Sequence, residues 1–293
     1  MELVYTYALG AYAAMHESSS LSSSTKVFMA ARFESSASEI VDARVVLLEA
    51  FREEFFDFFR DEAVAKTLGQ IESGEIGREG LKSFFIQQIV ATRSFLGLLE
   101  ILVAQKQCLE LQAAAASNLR DETGMDIEGN YHVELAHSTW RKNFYQHIGI
   151  AEDEIDCAVP TPGTTAYFDA IAEIVSEGDI GKVAGALLFF EGVIPRQFNS
   201  FKKGRDTLFR EECVDTDGDD AVQREAKQKA RLYLDDHIVH DAQCHFPDLL
   251  NALAIATQSS KEMAEKVKLG ITLAKDARKK FYQGQDVIDG AKI

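Results

Sequence analysis

The amino-acid sequence predicts an all-α protein. Apolar residues recur at three- and four-residue spacing through most of the chain after residue 40, and no segment shows the two-residue alternation of a half-buried strand. Of the 293 residues, 46% are hydrophobic and 19 are Phe, which is enough apolar material for a large core. We therefore expect seven or eight helices, with residues 1–40 as an N-terminal extension and residues 41–293 as a single helical domain.

Two periodic segments begin the helical region. Phenylalanines repeat at helical spacing between residues 39 and 65, and a glycine-containing turn separates them from a second helix predicted over residues 79–117. Glu100 follows Leu96 by four residues, so on this helix it would share the apolar stripe. Because burying a bare carboxylate is very costly, Glu100 is expected to bind a metal ion or to pair with an arginine such as Arg93.

The middle of the chain offers a second pair of ligand-type side chains. A helix predicted over residues 130–147 would place Glu134 and His137, three positions apart, on one face. Glu-x-x-His is a spacing by which one helix presents a carboxylate and an imidazole to the same metal, although such a pair also arises by chance. Thr164 or Thr165 is a plausible N-cap for the next helix, which should end near residue 176.

A further carboxylate, Glu191, lies on a helix that begins near Gly181. Apolar residues flank Glu191 at helical spacing, so it is expected to face the core. Pro195 follows four positions later and cannot donate a hydrogen bond to the Glu191 carbonyl. The sequence therefore predicts a kink or bulge at this point, an irregularity that is often found at functional sites.

The most informative helix is predicted over residues 221–256, with a bend near Pro247. Within it, His237, Asp241 and His245 recur every four residues and would stack along one face. Taken alone, this face is either a polar surface with an ordinary ion pair or part of a metal site. His240 lies beside the stripe and is expected to support the ligands or to lie at the surface. A last amphipathic helix is predicted over residues 261–282.

Composition excludes several classes of partner. The formal net charge is −16 and the basic residues are scattered, which argues against binding to nucleic acid or to an anionic membrane. Four cysteines without CxxC spacing indicate reduced thiols, and Glu2 stands where a signal peptide needs basic residues. No uninterrupted apolar run reaches the length of a membrane span. We expect a cytoplasmic protein that acts on a small molecule, and homodimer formation stays open.

The candidate ligands come from four separate helices. They are four carboxylates and three imidazoles: Glu100, Glu134, His137, Glu191, His237, Asp241 and His245. Four negative charges balance two divalent cations, and mixed oxygen and nitrogen ligation without thiolate suits iron or manganese. The nearest general pattern is a di-iron carboxylate bundle, although a second Glu-x-x-His is replaced here by His-x3-Asp-x3-His.

The order of these motifs resembles a known family. The segments that carry the resemblance are Asn118-Leu-Arg-Asp-Glu122-x-Gly124, Glu134-x-x-His137-x-x-Trp140-x3-Phe144-x4-Gly149, Pro160-x-Pro162, Glu191-x3-Pro195 and His237-x3-Asp241-x3-His245. Together, over residues 74–256, they are similar to the haem-oxygenase-like di-iron oxidases and oxygenases. The closest likeness is to the branch that contains the fatty-acid decarboxylase that forms terminal alkenes.

The resemblance implies a seven-helix haem-oxygenase-like fold that binds no haem. It also implies two Fe(II) ions, one of them often loosely held, with dioxygen as the co-substrate. The substrate would be a fatty acid or an amino acid that undergoes oxidative cleavage, decarboxylation, desaturation or N-oxygenation. Because relatives place a carboxylate where Glu122 stands, Glu122 is an alternative to Glu134 or Glu100, and His132 competes as a ligand in a loop that is longer than usual.

Two other functions fit the same helices. One is a metal-free enzyme of this fold, similar to the thiaminase-related members or to those that form quinone cofactors. In that case the histidines and carboxylates would form only a hydrogen-bonded network. The other is a helical module that binds or stores iron without catalysis. Iron titration and substrate-dependent oxygen consumption separate the three hypotheses.

Overall fold

The computed structural model describes residues 37–126 and 128–285, and over these residues the all-α prediction is confirmed. No β-strand occurs in this part of the chain, which has only one isolated bridge, between Met125 and Tyr131. The helices are α1 (Ala37–Arg60), α2 (Glu62–Ser73), α3 (Gly77–Ala104), α4 (Leu109–Thr123), α5 (His137–His147), α6 (Glu152–Asp156), α7 (Pro162–Ser176), α8 (Ile180–Leu208), α9 (Arg210–Cys213), α10 (Ala221–His240), α11 (Phe246–Thr257) and α12 (Lys261–Gln283). Most of the predicted extension, residues 1–36, lies outside the described residues, and the division at residue 40 stays a prediction.

Helix α8 is the centre of the bundle. Nearly every residue from Gly181 to Glu191 is buried, and α8 packs against α2, α3, α10 and α12. Its contact with α12 depends on two glycines, because a Cβ atom at Gly185 would lie 2.0 Å from the Val267 carbonyl oxygen and one at Gly270 would lie 2.1 Å from that of Lys182. This close crossing brings α12 against the central helix.

The helix predicted over residues 79–117 is two helices. Gln105 interrupts it: its side-chain Oε1 accepts hydrogen bonds from the backbone N–H groups of Gln107 and Cys108, at 2.7 and 3.0 Å, and its Nε2 donates to the Cys108 carbonyl at 2.7 Å. These bonds replace those that would continue the helix. Helix α4 then turns back and packs on α3. By length and composition alone α3 could cross a membrane, but Leu81, Phe85 and other side chains along it pack in the core cluster.

Two helix starts differ from the predictions. Helix α7 begins at Pro162, and its N-cap is Thr161, whose Oγ1 accepts from the Thr164 N–H at 3.2 Å. Proline is well suited to the first helical position because its missing N–H has no partner there. The N-cap is therefore Thr161, and the predicted N-cap at Thr164 or Thr165 is wrong. Helix α5 begins only at His137, since residues 130–136 form turns and a bridge.

The bulge predicted at Glu191 is absent, and an irregular turn lies instead on the helix for which a bend was predicted near Pro247. Helix α8 continues as α-helix through Pro195, so no bulge is present at Glu191. Instead, Asp241–His245 forms a π-helical turn between α10 and α11, closed by a hydrogen bond from the Phe246 N–H to the Asp241 carbonyl. Pro247 follows directly. Its ring would clash with a carbonyl four residues earlier in a regular α-helix, so a wider turn accommodates it.

Candidate metal centre

The described residues contain three clusters of ligand-type side chains, of which one, Asp121 with His240 and His245, is partly exposed and shares His245 with another. The other two meet inside the bundle. The first, here called the Glu122 group, consists of Glu122 at the end of α4, His137 at the start of α5 and His237 on α10. The second, the Glu191 group, consists of Glu191 on α8 with Asp241 and His245 from the π-turn. Within each group, one potential ligand atom from every residue lies within 4.8 Å of the others.

The Glu122 group joins two imidazoles to one carboxylate. Glu122 Oε1 lies 3.0 Å from His137 Nδ1 and 3.8 Å from His237 Nε2. The two imidazole ring centres are 4.6 Å apart. His237 Nδ1 donates to the Tyr233 carbonyl at 2.7 Å, which leaves Nε2 directed towards Glu122. His137 Nε2 lies 3.3 Å from Asp236 Oδ2 on the opposite side of the ring.

Charge pairing dominates the titration of this group. Burial alone would raise the pKa of Glu122, but hydrogen bonds and charge from His137 and His237 outweigh it and hold the pKa well below its ordinary value. Burial lowers the pKa of His137, whereas Asp236 and Glu122 raise it, to about 10. Without a metal ion, the group is therefore a hydrogen-bonded carboxylate–imidazolium pair.

The Glu191 group is more deeply buried than the Glu122 group, and fewer of its polar atoms have hydrogen-bond partners. Glu191 and Asp241 are each 1% exposed. His245 Nδ1 lies 3.1 Å from Asp241 Oδ1 and 3.6 Å from Glu191 Oε2. Glu191 Oε1 accepts a short hydrogen bond from Asn118 Nδ2, but Glu191 Oε2 and Asp241 Oδ2 have no hydrogen-bond partner. Burial, and then the charge of Asp241, raise the pKa of Glu191 above its ordinary value.

These two oxygens without partners fit a bound cation. A buried carboxylate oxygen without a hydrogen bond is costly, and native proteins contain few such atoms. Here one of them, Glu191 Oε2, lies 3.6 Å from His245 Nδ1, and the other, Asp241 Oδ2, belongs to the carboxylate whose Oδ1 lies 3.1 Å from the same nitrogen. A divalent cation coordinated by these three residues would satisfy both oxygens.

Each of the three histidines is oriented by an oxygen on the far side of its ring. His237 Nδ1 contacts the Tyr233 carbonyl, and His137 Nε2 contacts Asp236. His245 Nε2 lies 3.0 Å from Asp121 Oδ2, which His240 Nε2 also approaches, at 3.3 Å. Histidines that bind metals almost always donate their other N–H in this way, because it fixes the tautomer and the ring direction. The arrangement leaves one nitrogen of each ring directed towards its ligand group.

Two of the predicted ligands lie elsewhere. Glu100 is exposed, and the expectation that it faces the core is wrong, because Leu96 on the same stripe is itself exposed and the buried face of α3 here runs through Leu98, Leu99 and Leu102. Glu134 is also exposed and precedes α5, so it shares no helix face with His137. Its Oε1 lies 3.7 Å from His132 Nδ1. The structure brings Glu122 to the position that we expected for Glu134.

The geometry of α4 explains why Glu122 reaches the cluster. Asn118, Asp121 and Glu122 share a helix face, and they contact Glu191, His245 and His137, respectively. Gly124, with a φ of +72°, ends the helix. A Cβ atom there would lie 2.6 Å from the His132 carbonyl oxygen, so only glycine allows the following loop to return this closely. Asp121 and Asp236 were not predicted. The spacing of Asn118, Asp121 and Glu122 was the available signal for Asp121, whereas Asp236 had none beyond its position next to His237.

A cavity of about 500 Å³ adjoins the Glu122 group. Glu122 and His237 form part of its wall, and Phe198 stacks on the His237 ring at 4.8 Å between centres. Much of the remaining wall is apolar and comes from α3, α6 and α8: Ile89, Phe95, Leu96, Ile155, Phe190, Val193 and Ile194. This volume is within the range of small-molecule sites in proteins.

Comparison with known proteins identifies a family. Residues 82–279 match the model of a haem-oxygenase-like family described as iron-containing redox enzyme. The match covers α4 to α11 in full and includes every residue of both ligand groups. No curated protein matches the chain. The more specific likeness to the fatty-acid decarboxylase stays a prediction.

Proposed function

The chain belongs to the haem-oxygenase-like family of iron-containing redox enzymes, and from this premise we propose that it is a non-haem di-iron oxidoreductase that uses dioxygen. The observation that supports this best is the pair of buried oxygens on Glu191 and Asp241 that have no hydrogen-bond partner. We assign one iron to the Glu122 group and the other to the Glu191 group.

The charges favour two cations over one. Glu122, Glu191 and Asp241 bring three carboxylates into the centre, and Asp121 and Asp236 lie behind its histidines. Five negative charges against one divalent cation would leave an excess of three, whereas two divalent cations leave an excess of one; Glu191 and Asp241 are fully buried, while Asp121 and Asp236 are partly exposed. Imidazole and carboxylate ligands without thiolate suit iron or manganese, and membership of the family favours iron.

The chain's own residues position the substrate and the ligands. Iron bound in the centre would supply redox chemistry towards dioxygen, and a small organic substrate would be oxidised. That substrate would lie in the cavity, against Glu122 and His237 and among the apolar side chains of the wall. Asn118, Asp121, Asp236 and the Tyr233 carbonyl hold the ligand side chains in their orientations.

The substrate that we propose is a fatty acid or an amino acid. Desaturation, decarboxylation, oxidative cleavage and N-oxygenation are all compatible with the ligand set, because the pocket and not the fold selects the reaction. The metal-free alternative explains the Glu122 group, because Glu122 and His137 have partners there without a cation. It leaves the oxygens of Glu191 and Asp241 without partners, so the structure favours the metalloenzyme.

The test is anaerobic titration with Fe(II), followed by mixing with oxygen. We expect two irons per chain and faster oxygen consumption with a fatty-acid or amino-acid substrate than without one. Replacement of His237 or His245 by Ala should remove one iron each, while His147→Ala, a matched control outside both groups, should keep both. Unchanged iron stoichiometry in His237→Ala and His245→Ala would contradict the assignment. Iron binding without substrate-dependent oxygen consumption would indicate an iron-binding module.

A further inference from the structure

One buried cation in the cavity wall lacks a carboxylate partner among the residues that the structure describes. Among the described residues, four lysine and arginine side chains are buried: Arg205, Lys227, Lys275 and Arg278. The first three have carboxylate partners, at 2.7 Å in Asp206, 2.7 Å in Asp219 and 2.6 Å in Glu54, respectively. Arg278 is 5% exposed, and no carboxylate oxygen of residues 37–126 or 128–285 lies within 4.0 Å of its guanidinium.

The described groups that contact the Arg278 guanidinium are neutral. Its Nη2 donates to Gln88 Oε1 at 2.6 Å, and its guanidinium lies over the rings of Phe281 and Tyr282 at 4.8 and 5.5 Å. An amide and two aromatic faces hold the guanidinium in place, but they do not cancel its charge. An unpaired buried charge is costly, so this position favours a bound anion.

The cavity places Arg278 and the Glu122 group in the same chamber. Gln88, Arg278, Glu122 and His237 all line it, together with apolar side chains that include Ile89, Phe190 and Val193. This combination fits a molecule with one anionic group and an apolar body. Because the guanidinium fork matches the two oxygens of a carboxylate, a carboxylic acid is the simplest such ligand.

The other charged groups on the wall do not supply the missing counter-ion. Glu152 pairs with Lys142 at 2.5 Å, both of them exposed, and Asp156 is also exposed. Arg93 and Arg141 line the cavity without a carboxylate partner among the residues that the structure describes. The cavity lining therefore carries four basic side chains against three carboxylates, in a chain whose net charge is −16.

We propose that Arg278 binds the carboxylate of an aliphatic acid, whose apolar body extends along the cavity towards Glu122 and His237. In this orientation the carboxylate is bound by the protein, and a carbon further along the chain faces the metal centre. The proposal deepens the proposed function, because it names the class of substrate and its direction in the site. The binding step itself does not depend on iron.

The test compares three eight-carbon probes by calorimetry on anaerobic, iron-loaded protein: octanoate, L-2-aminooctanoate and 1-octanol. We expect at least one of the two acids to bind about tenfold or more tightly than the alcohol, because only an acid pairs with Arg278. The stronger of the two acids distinguishes a fatty acid from an amino acid as the source of the carboxylate. Equal binding of all three probes would overturn the proposal.

Two variants test whether Arg278 causes the preference for the acid. Arg278→Met should weaken binding of the preferred acid by about 30-fold and leave 1-octanol within about twofold. Gln88→Glu places a carboxylate against Arg278 Nη2 without removing the arginine, so it should also abolish the preference, even if the methionine variant folds poorly. Lys142→Met, at an exposed lysine of the same cavity that already pairs with Glu152, is the matched control and should retain the preference. An acid preference that survives both Arg278→Met and Gln88→Glu would refute the role of Arg278.

Iron content separates this proposal from the proposed function. If the anion site is real but the di-iron assignment is wrong, the wild-type chain will prefer the acid while binding no iron. If the di-iron assignment is right but the anion site is wrong, Arg278→Met will bind two irons and keep the wild-type preference.

Discussion

The Glu122 group and the Glu191 group use the same kinds of side chain but leave their polar atoms in different states. In the Glu122 group, carboxylate and imidazole atoms contact one another, and Asp236 and the Tyr233 carbonyl complete the set. In the Glu191 group, two carboxylates lie side by side with one imidazole, and one oxygen of each lacks a partner. The first group is stable without a cation, whereas the second gains most from one.

This difference indicates at which group metal binding should stabilise the folded protein. A buried acceptor without a partner costs about 1–3 kcal/mol. Protein that lacks metal therefore bears that cost mainly at Glu191 and Asp241, and cation binding there should stabilise the fold. The Glu122 group faces the cavity, so its cation would be the one next to the substrate.

The largest expected effect is that of Glu191→Gln. This substitution removes a ligand and should weaken binding of one iron by more than about 100-fold, as measured by anaerobic titration. The amide supplies donors beside Asp241 and removes a buried charge, so the metal-free variant should be more stable than the wild type by about 1–2 kcal/mol in chemical unfolding. Glu100→Gln, at an exposed glutamate, should change neither quantity. Tight binding of two irons by Glu191→Gln would remove the Glu191 group from the centre.

A smaller effect should distinguish the residues behind the histidines. Asp121→Asn should weaken the iron of the Glu191 group by about 10- to 100-fold, because His245 loses its charged hydrogen-bond partner. Asp236→Asn should do the same for the iron of the Glu122 group through His137. Spectroscopic titration with Fe(II) measures the iron affinity of each site. Each variant is the control for the other. Equal losses at both sites in both variants would mean that the two groups form a single unit.

The smallest effect should come from packing. Phe198 stacks on the His237 ring, with planes 19° apart, and forms part of the cavity wall. Phe198→Leu should loosen that imidazole and weaken the iron of the Glu122 group by about two- to tenfold, the value of one aromatic contact. Phe246→Leu, an aromatic residue that follows the π-turn directly, provides the comparison on the side of the Glu191 group. A change in the iron of the Glu191 group with Phe198→Leu would contradict the separation of the two groups.

The sequence predicts much of this arrangement because helical periodicity is a local property. The recurrence of His237, Asp241 and His245 and the apolar context of Glu191 were sufficient to predict that these side chains face inward, and the structure places all four residues in the two groups. The ligand role of these residues stays a prediction. The π-turn preserved the cluster, although it replaced a turn of regular α-helix.

The sequence failed where one side chain decides the path of the backbone. A single glutamine, Gln105, ends α3, and its effect depends on side-chain hydrogen bonds that spacing does not reveal. After the break, α4 presents Asn118, Asp121 and Glu122 to the cluster. Glu100 was misplaced for another reason: its stripe, with Leu96, lies on the exposed side of α3. The sequence could not predict either that no carboxylate among the described residues pairs with Arg278, since this depends on which carboxylates the fold brings near.

The most direct test of the account is a crystal structure of protein soaked anaerobically with Fe(II), with data collected at the iron absorption edge. We predict two iron peaks per chain, one bound by Glu122, His137 and His237 and the other by Glu191, Asp241 and His245. A single peak, no peak, or iron bound by Glu100 or Glu134 would contradict the account.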